Sequence, residues 1–265
     1  HTNIPSPLSP SWIALNKTTG ELIGEDGSGA SENALHAAWS SLTYGNVDGA
    51  EILIWGGTDG FCYGYNNKTE KDADGYDLFQ PIWEVDCNEP NYRKDSDGKK
   101  IPYATPPGPS ELIGTPVLYE GKVYCAIGQD PEHGDGVGRL SCIDAKTGKI
   151  VWKYTEVGRT ISTVSIADDL VYIAEYAGLI HCVDANTGKV YWTHDSFSRI
   201  WGSTLIADGK LILGNEDGDL LVMDHGKSKP KVKTINMGAP VYSSPVVANG
   251  VLYIGTQTHL YAIGK

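Results

Sequence analysis

One phrase of this sequence is written twice. Cys142-Ile143-Asp144-Ala145-Lys146-Thr147-Gly148-Lys149-Ile150-Val151-Trp152 returns forty positions later as Cys182-Val183-Asp184-Ala185-Asn186-Thr187-Gly188-Lys189-Val190-Tyr191-Trp192. A repeat of this length means stacked units, each burying its apolar face on the next. Each copy reads as a β-hairpin. An alternating apolar run reaches Asp144 or Asp184, whose carboxylate can bond the backbone two residues on; Gly148 or Gly188 supplies a positive φ, and a second run ends on Trp. An indole packed between neighbouring sheets buries about 150–250 Å², worth roughly 4–6 kcal/mol of transfer free energy before entropy is subtracted. Trp152, Trp192, Gly148, Gly188, Asp144 and Asp184 are therefore read as structural. A third copy runs from Trp12 to Gly24, with Ala14 in the column of Cys142 and Cys182 and Gly24 in the place of the Trp. That exchange predicts looser packing there.

The units share more than the hairpin. Their openings align as Trp39-Ser40-Ser41-Leu42, Ile113-Gly114-Thr115-Pro116, Ile161-Ser162-Thr163-Val164, Trp201-Gly202-Ser203-Thr204 and Tyr242-Ser243-Ser244-Pro245. Small and hydroxyl residues in two fixed columns predict crowded strands around an axis. A tight turn and a second strand follow, with Glu120-Gly121, Asp168-Asp169, Asp208-Gly209 and Asn249-Gly250 at the turns, mostly dipeptides of the type I′ kind. Alternation without helical periodicity predicts an all-β fold, a β-propeller of four-stranded antiparallel blades; a sandwich would not need such regular repetition.

The expected organisation is a single domain over 1–265. A connector (about 1–10, with Pro5, Pro7 and Pro10) precedes a partial blade at 12–37, blades at 38–87, 111–157, 158–196 and 197–237, and an incomplete closing blade at 238–265. Residues 67–81 enlarge a hairpin turn, residues 88–110 (with Pro102, Pro106, Pro107 and Pro109) enlarge a link between blades, and residues 128–138 separate two strands. The chain opens and ends on third-strand elements, and lending Glu21–Gly24 to close the last blade would leave the Trp12 strand redundant. Further blades are expected before His1.

Composition narrows the function. With 33 acidic against 21 basic residues the net charge is −12, which argues against nucleic acid or an anionic membrane surface as partner. No apolar run approaches the length of a membrane span. The five cysteines follow no metal-ligand spacing and include no adjacent pair. Cys62 and Cys87 lie on two arms of one hairpin, so a disulfide stays open, although the register sets them about three residues out of alignment.

The phrase A-x-D/N-x-x-T-G-x-x-x-W, complete in the copies through Asp144–Trp152 and Asp184–Trp192 and partial at Ala14–Gly20, resembles the tryptophan-docking repeat of the PQQ-like β-propellers. That superfamily includes quinoprotein alcohol dehydrogenases and the outer-membrane assembly factor BamB. The segments Gly128–Gly134, Gly158–Thr163 and Trp192–Asp195 resemble a bacterial subgroup of PQQ-binding-like repeat proteins. Members of that subgroup are longer and eight-bladed, which implies about five blades here from the C-terminal part of such a propeller. Quinoprotein dehydrogenases hold PQQ between a Trp and a disulfide of adjacent cysteines, beside a calcium site and a catalytic Asp. This chain has no such Cys pair and no matching calcium ligands, so the resemblance implies a scaffold more than an enzyme.

Candidate sites come from the loops. Propeller geometry gathers Asp130, Glu132 and His133 with Arg159, His194, Asp195, Arg199 and Trp201, a set able to bind a polar or anionic group, or a divalent metal, with Trp stacking on a ring. Asp72, Asp74 and Asp77, and Asp95 with Asp97, offer hard oxygens to Ca²⁺ beside a turn-forming Gly, although neither set matches an EF-hand loop. No G-x-S-x-G or phosphate loop is present, and no catalytic residue is assigned. The expected function is a non-catalytic, periplasmic or extracellular scaffold for a protein or carbohydrate partner, without nucleic acid or membrane insertion. The alternative is a PQQ-dependent oxidoreductase completed by upstream blades.

Overall fold

A computed structural model describes residues 4, 6–34, 38–102 and 108–264. Pro5, Pro106 and Pro107 lie outside the described residues. Within them the chain forms six sheets, five of four strands and one of three. The second comprises Thr43–Val47, Ala50–Gly56, Phe61–Tyr65 and Pro81–Asp86; the third Val117–Tyr119, Lys122–Ile127, Arg139–Asp144 and Ile150–Tyr154. The fourth comprises Ser165–Ala167, Leu170–Ala174, Leu179–Asp184 and Val190–Asp195; the fifth Lys210–Gly214 and Asp219–Asp224 between Leu205–Ala207 and Val232–Asn236. Val246–Ala248, Val251–Gly255 and Leu260–Ile263 make the three-stranded sixth. These are antiparallel meanders in chain order. In the second to fifth sheets the middle strands are apolar on both faces, so each of these packs between two others. Five apolar clusters accordingly fill the five spaces between sheets.

Local chemistry sets the turns. Asp48-Gly49, Glu120-Gly121, Asp168-Asp169, Asp208-Gly209 and Asn249-Gly250 all take positive φ at both positions, the twist that joins first and second strands without splaying them. In the outer hairpins Asp144 Oδ1 accepts from the Thr147 backbone N–H at 2.8 Å and hydroxyl at 2.7 Å, and Asp184 does the same with Thr187. These bonds hold both carboxyls below their ordinary pKa; the Thr147 hydroxyl is the main cause at Asp144, and the Tyr191 hydroxyl at Asp184.

The indoles clasp one sheet to the next. Trp152 Nε1 donates to the Ala185 carbonyl at 2.9 Å, and Trp192 Nε1 to that of Gly226 at 3.0 Å. A third clasp, from Trp83 to the Ala145 carbonyl at 2.9 Å, was not legible in the repeat phrase. Each of the first two turn glycines makes room for the preceding indole: a Cβ on Gly148 would lie 2.6 Å from Trp83, and one on Gly188 2.7 Å from Trp152. At the inner edge the hydroxyl column links the first strands. Ser41 N–H donates to Thr115 Oγ1, Thr115 to Thr163, Thr163 to Ser203 and Ser203 to Ser244, at 2.7–3.2 Å.

One expectation is corrected. The first sheet is not loosely packed at Gly24. The 67–81 insertion is a hairpin, Glu70–Lys71 with Asp77–Phe79, that pairs in parallel with Leu22–Asp26. It covers Gly24, where a Cβ would meet Thr69, Asp77 and Phe79 within 2.9 Å. A small residue thus admits a whole hairpin where the other copies place an indole. Cys62 and Cys87 are free and buried. Cys62 sits opposite Val85, and the Cys87 thiol turns to Cys125 of the next sheet, 3.6 Å away. The 88–110 insertion begins with a helical turn, Pro90–Arg93. It is pinned by buried Arg139, which donates to the Asp86 and Asn88 carbonyls and to Glu89.

Two outcomes are expected. Gly188 and Gly209 share a left-handed backbone, but nothing lies within 4 Å of a Cβ on Gly209. Gly209→Ala should lower the unfolding free energy by about 1 kcal/mol and Gly188→Ala by about 2–4 kcal/mol in urea titrations. Equal losses would show that the indole seat contributes little. Iodoacetamide should leave all five buried cysteines unlabelled in the native protein and label them in urea, by intact mass. Native labelling of Cys125 would show that the core between the second and third sheets opens.

Candidate functional site

The residue two places before each inner-edge hydroxyl points the site out. Trp39, Ile113, Ile161 and Trp201 come from four successive sheets and line one cavity of about 430 Å³ at the axis. Asp130, Pro131 and Glu132 form its remaining wall. Trp39 is 53% exposed, whereas Trp201 is wedged edge-on between the rings of Tyr176 and Tyr242, at 5.0 and 5.8 Å. The Trp201 indole N–H turns to Glu216 Oε2 at 3.5 Å.

The acidic wall is held by its own turn. Asp130 caps the 3-10 turn Pro131–His133, accepting from the Glu132 N–H at 2.7 Å. His133 Nδ1 stands 3.9 Å from the same carboxylate. Arg159 donates to the Gly134 carbonyl and lies over the Tyr176 ring at 4.4 Å. Arg199 lies over the same ring at 5.6 Å and faces Glu216 at 3.7 Å. Neither arginine lines the cavity.

Beneath this corner a buried chain fixes the backbone. Glu175 Oε1 accepts from the Gly158 N–H at 2.7 Å and meets His181 Nε2 at 2.8 Å, while His181 Nδ1 meets the Tyr154 hydroxyl at 3.0 Å. Burial pushes the Tyr154 hydroxyl up to about 12, with Glu156 and Glu175 adding to it. The chain is sealed from solvent, so it positions the Gly158–Arg159 corner and does not face the cavity.

Of the residues named from sequence, the structure brings together Asp130, Glu132, His133, Arg159, Arg199 and Trp201. His194 and Asp195 lie on the outermost strand of the fourth sheet. There burial, then Lys229, lowers the His194 pKa, and Asp195 accepts from the Phe197 N–H. Asp72 Oδ1 accepts from the N–H groups of Asp74 and Tyr76, Asp77 pairs with Lys71, and Asp95 Oδ1 accepts from Asp97 and Lys99. These acids build turns. Among the described residues no group of three or more His, Cys, Asp or Glu is placed to hold a metal ion. Sequence reasoning missed Tyr176, the ring that gathers both arginines. It also missed the role of Trp39 and Tyr242, although both stood in the aligned column of Trp201.

PQQ is an anionic, multiply carboxylated quinone. Among the described residues the axial cavity offers it two carboxylates and no cationic side chain, and the sequence has no adjacent cysteine pair. The residues present do not fit that group.

A family model described as outer membrane protein assembly factor BamB matches residues 136–264, just under half of the chain. No curated protein matches in a sequence search. Among solved structures, BamB from Moraxella catarrhalis superposes with a TM-score of 0.63 at 15% identity, covering 94% of this chain and 65% of that one. The computationally designed Ika8 protein gives 0.60 at 13%, covering 95% and 64%, and a chain of the mitotic checkpoint complex 0.63 at 12%, covering 96% and 68%. The chain thus spans slightly less than two thirds of the first two, and at these identities the likeness speaks for fold alone. The repeated hairpins, the family match over residues 136–264 and the BamB-like fold support a PQQ-like β-propeller repeat protein.

Proposed function

We propose that this protein is a non-catalytic binding module, a periplasmic or extracellular scaffold that holds a protein or carbohydrate partner at its axial cavity. The observation that carries the reading is the cavity itself. Two indoles and two isoleucines from four sheets converge beside a pair of carboxylates, and among the described lining residues no nucleophile and base face one another. Convergent apolar groups with a few fixed polar ones are how proteins hold ligands. The matched family model, described as an assembly factor of the outer membrane, supports the scaffold role and the location. No helix among the described residues is long and apolar enough to cross a membrane. The same reading takes the six sheets as the C-terminal part of an eight-bladed propeller, in keeping with the 65% of the Moraxella BamB chain that they span.

The oxidoreductase reading is separated by titration. Addition of PQQ and Ca²⁺ should give no stoichiometric complex by absorbance and no dye-linked alcohol oxidation; a complex with turnover would overturn the proposal. Screening of a displayed peptide library and a glycan array should yield binders whose affinity falls at least about tenfold in Trp39→Ala, a loss typical of a buried aromatic anchor. The urea midpoint should stay unchanged. Binders indifferent to Trp39 would move the site elsewhere.

A further inference from the structure

Resting on that reading, we propose that the axial cavity takes a basic side chain, lysine or arginine, from an extended segment of a protein partner. Among the described lining residues the charged side chains are the carboxylates of Asp130 and Glu132. Asp130 spends one oxygen on the Glu132 N–H, which fixes it at the cavity wall, and Glu132 stands exposed at the mouth. His133 Nδ1 stands 3.9 Å from Asp130, and the two nearby arginines are engaged elsewhere. Arg159 is drawn to the Gly134 carbonyl and the Tyr176 face, and Arg199 to Glu216 and that same ring.

The apolar walls suit the rest of such a side chain. A lysine or arginine has a hydrocarbon stem that packs on apolar surface while its head stays polar, and Ile113 and Ile161 provide that surface. A cation is also attracted to an indole face, and Trp39 is accessible enough to present one. A saccharide would require donors as well as acceptors, yet Trp201 turns its N–H away to Glu216. An anionic ligand would meet two like charges. The formal charge of −12 draws a basic segment toward the whole surface, and the cavity is where that attraction gains shape.

The test uses the whole chain and fluorescence polarisation with dye-labelled Gly-Ser peptides that carry lysine, glutamine or glutamate. Asp130→Asn/Glu132→Gln keeps the cap geometry and removes both charges; Glu70→Gln/Glu156→Gln removes two exposed charges elsewhere. The lysine peptide should bind, with Kd rising at least about tenfold in the first double variant and less than about threefold in the second, as expected for screened surface charge. Trp39→Ala should weaken it as well. Equal losses in the two double variants, or equal binding of all three peptides with dependence on Trp39, would overturn the basic-side-chain proposal while leaving the binding module intact. Absence of binding by every peptide, with no effect of Trp39→Ala on any ligand from the library or array, would sink the module reading itself.

Discussion

Every sheet in this protein depends on hydrogen bonds that cross to its neighbour. A β-ladder satisfies backbone groups only within one sheet, and a first strand at the axis has an unpaired edge. The N–H groups just ahead of it are exposed or half-buried, so bonding each one contributes about 0.5–1.5 kcal/mol. The hydroxyl column supplies their acceptors, because each of the four N–H groups from Ser41 to Ser203 meets a Thr or Ser Oγ of the following sheet. At the outer edge the indole N–H does the corresponding work, reaching a carbonyl of the next hairpin from Trp83, Trp152 and Trp192. Apolar packing between sheets has no direction of its own. These two rows of polar contacts give it one, fixing how far apart the sheets stand at the axis and at the rim.

The site follows from the inner row. Once Thr115, Thr163 and Ser203 are tied to their neighbours, the side chains two residues upstream have no sheet left to pack between and converge on the axis. Glycine at 114 and 202 brings the strands close enough for this, since a Cβ at either would strike the backbone of the next unit at 2.4 or 2.8 Å. The columns that hold the scaffold together therefore also choose which residues face a ligand, and in this chain those are aromatic or β-branched.

How much of this the sequence displays depends on whether the determining contact is local. Asp144, Thr147 and Gly148 form one turn, and their spacing alone declares it. Trp83 makes the same clasp as Trp152, but the insertion at 67–81 has replaced the Asp-x-x-Thr-Gly turn ahead of it, and the phrase that would have announced it is gone. Gly24 reads as a missing Trp, because nothing local shows that a hairpin fifty residues on will occupy its place. Cys87 reads as a neighbour of Cys62 along one hairpin and belongs, through its thiol, to Cys125 in another sheet. His194 and Asp195 close the last strand of their sheet, and strand order sends them to the periphery. Pairing across sheets is information that no single unit contains.

The sign of charge in the cavity rests on residues that never touch a ligand. Arg159 sits near Asp130 in the chain's topology and would cancel it if free to turn inward. It is kept away because Tyr176 offers a ring face and Gly134 a carbonyl, and because Glu175 holds the Gly158 N–H and so fixes the backbone that carries the arginine. Glu175 is itself kept in place by His181, and His181 by Tyr154. A buried polar chain between the third and fourth sheets thus keeps Arg159 off the acidic wall, where His133 stands 3.9 Å from Asp130. The cavity that results is lined by indoles, isoleucines and two carboxylates.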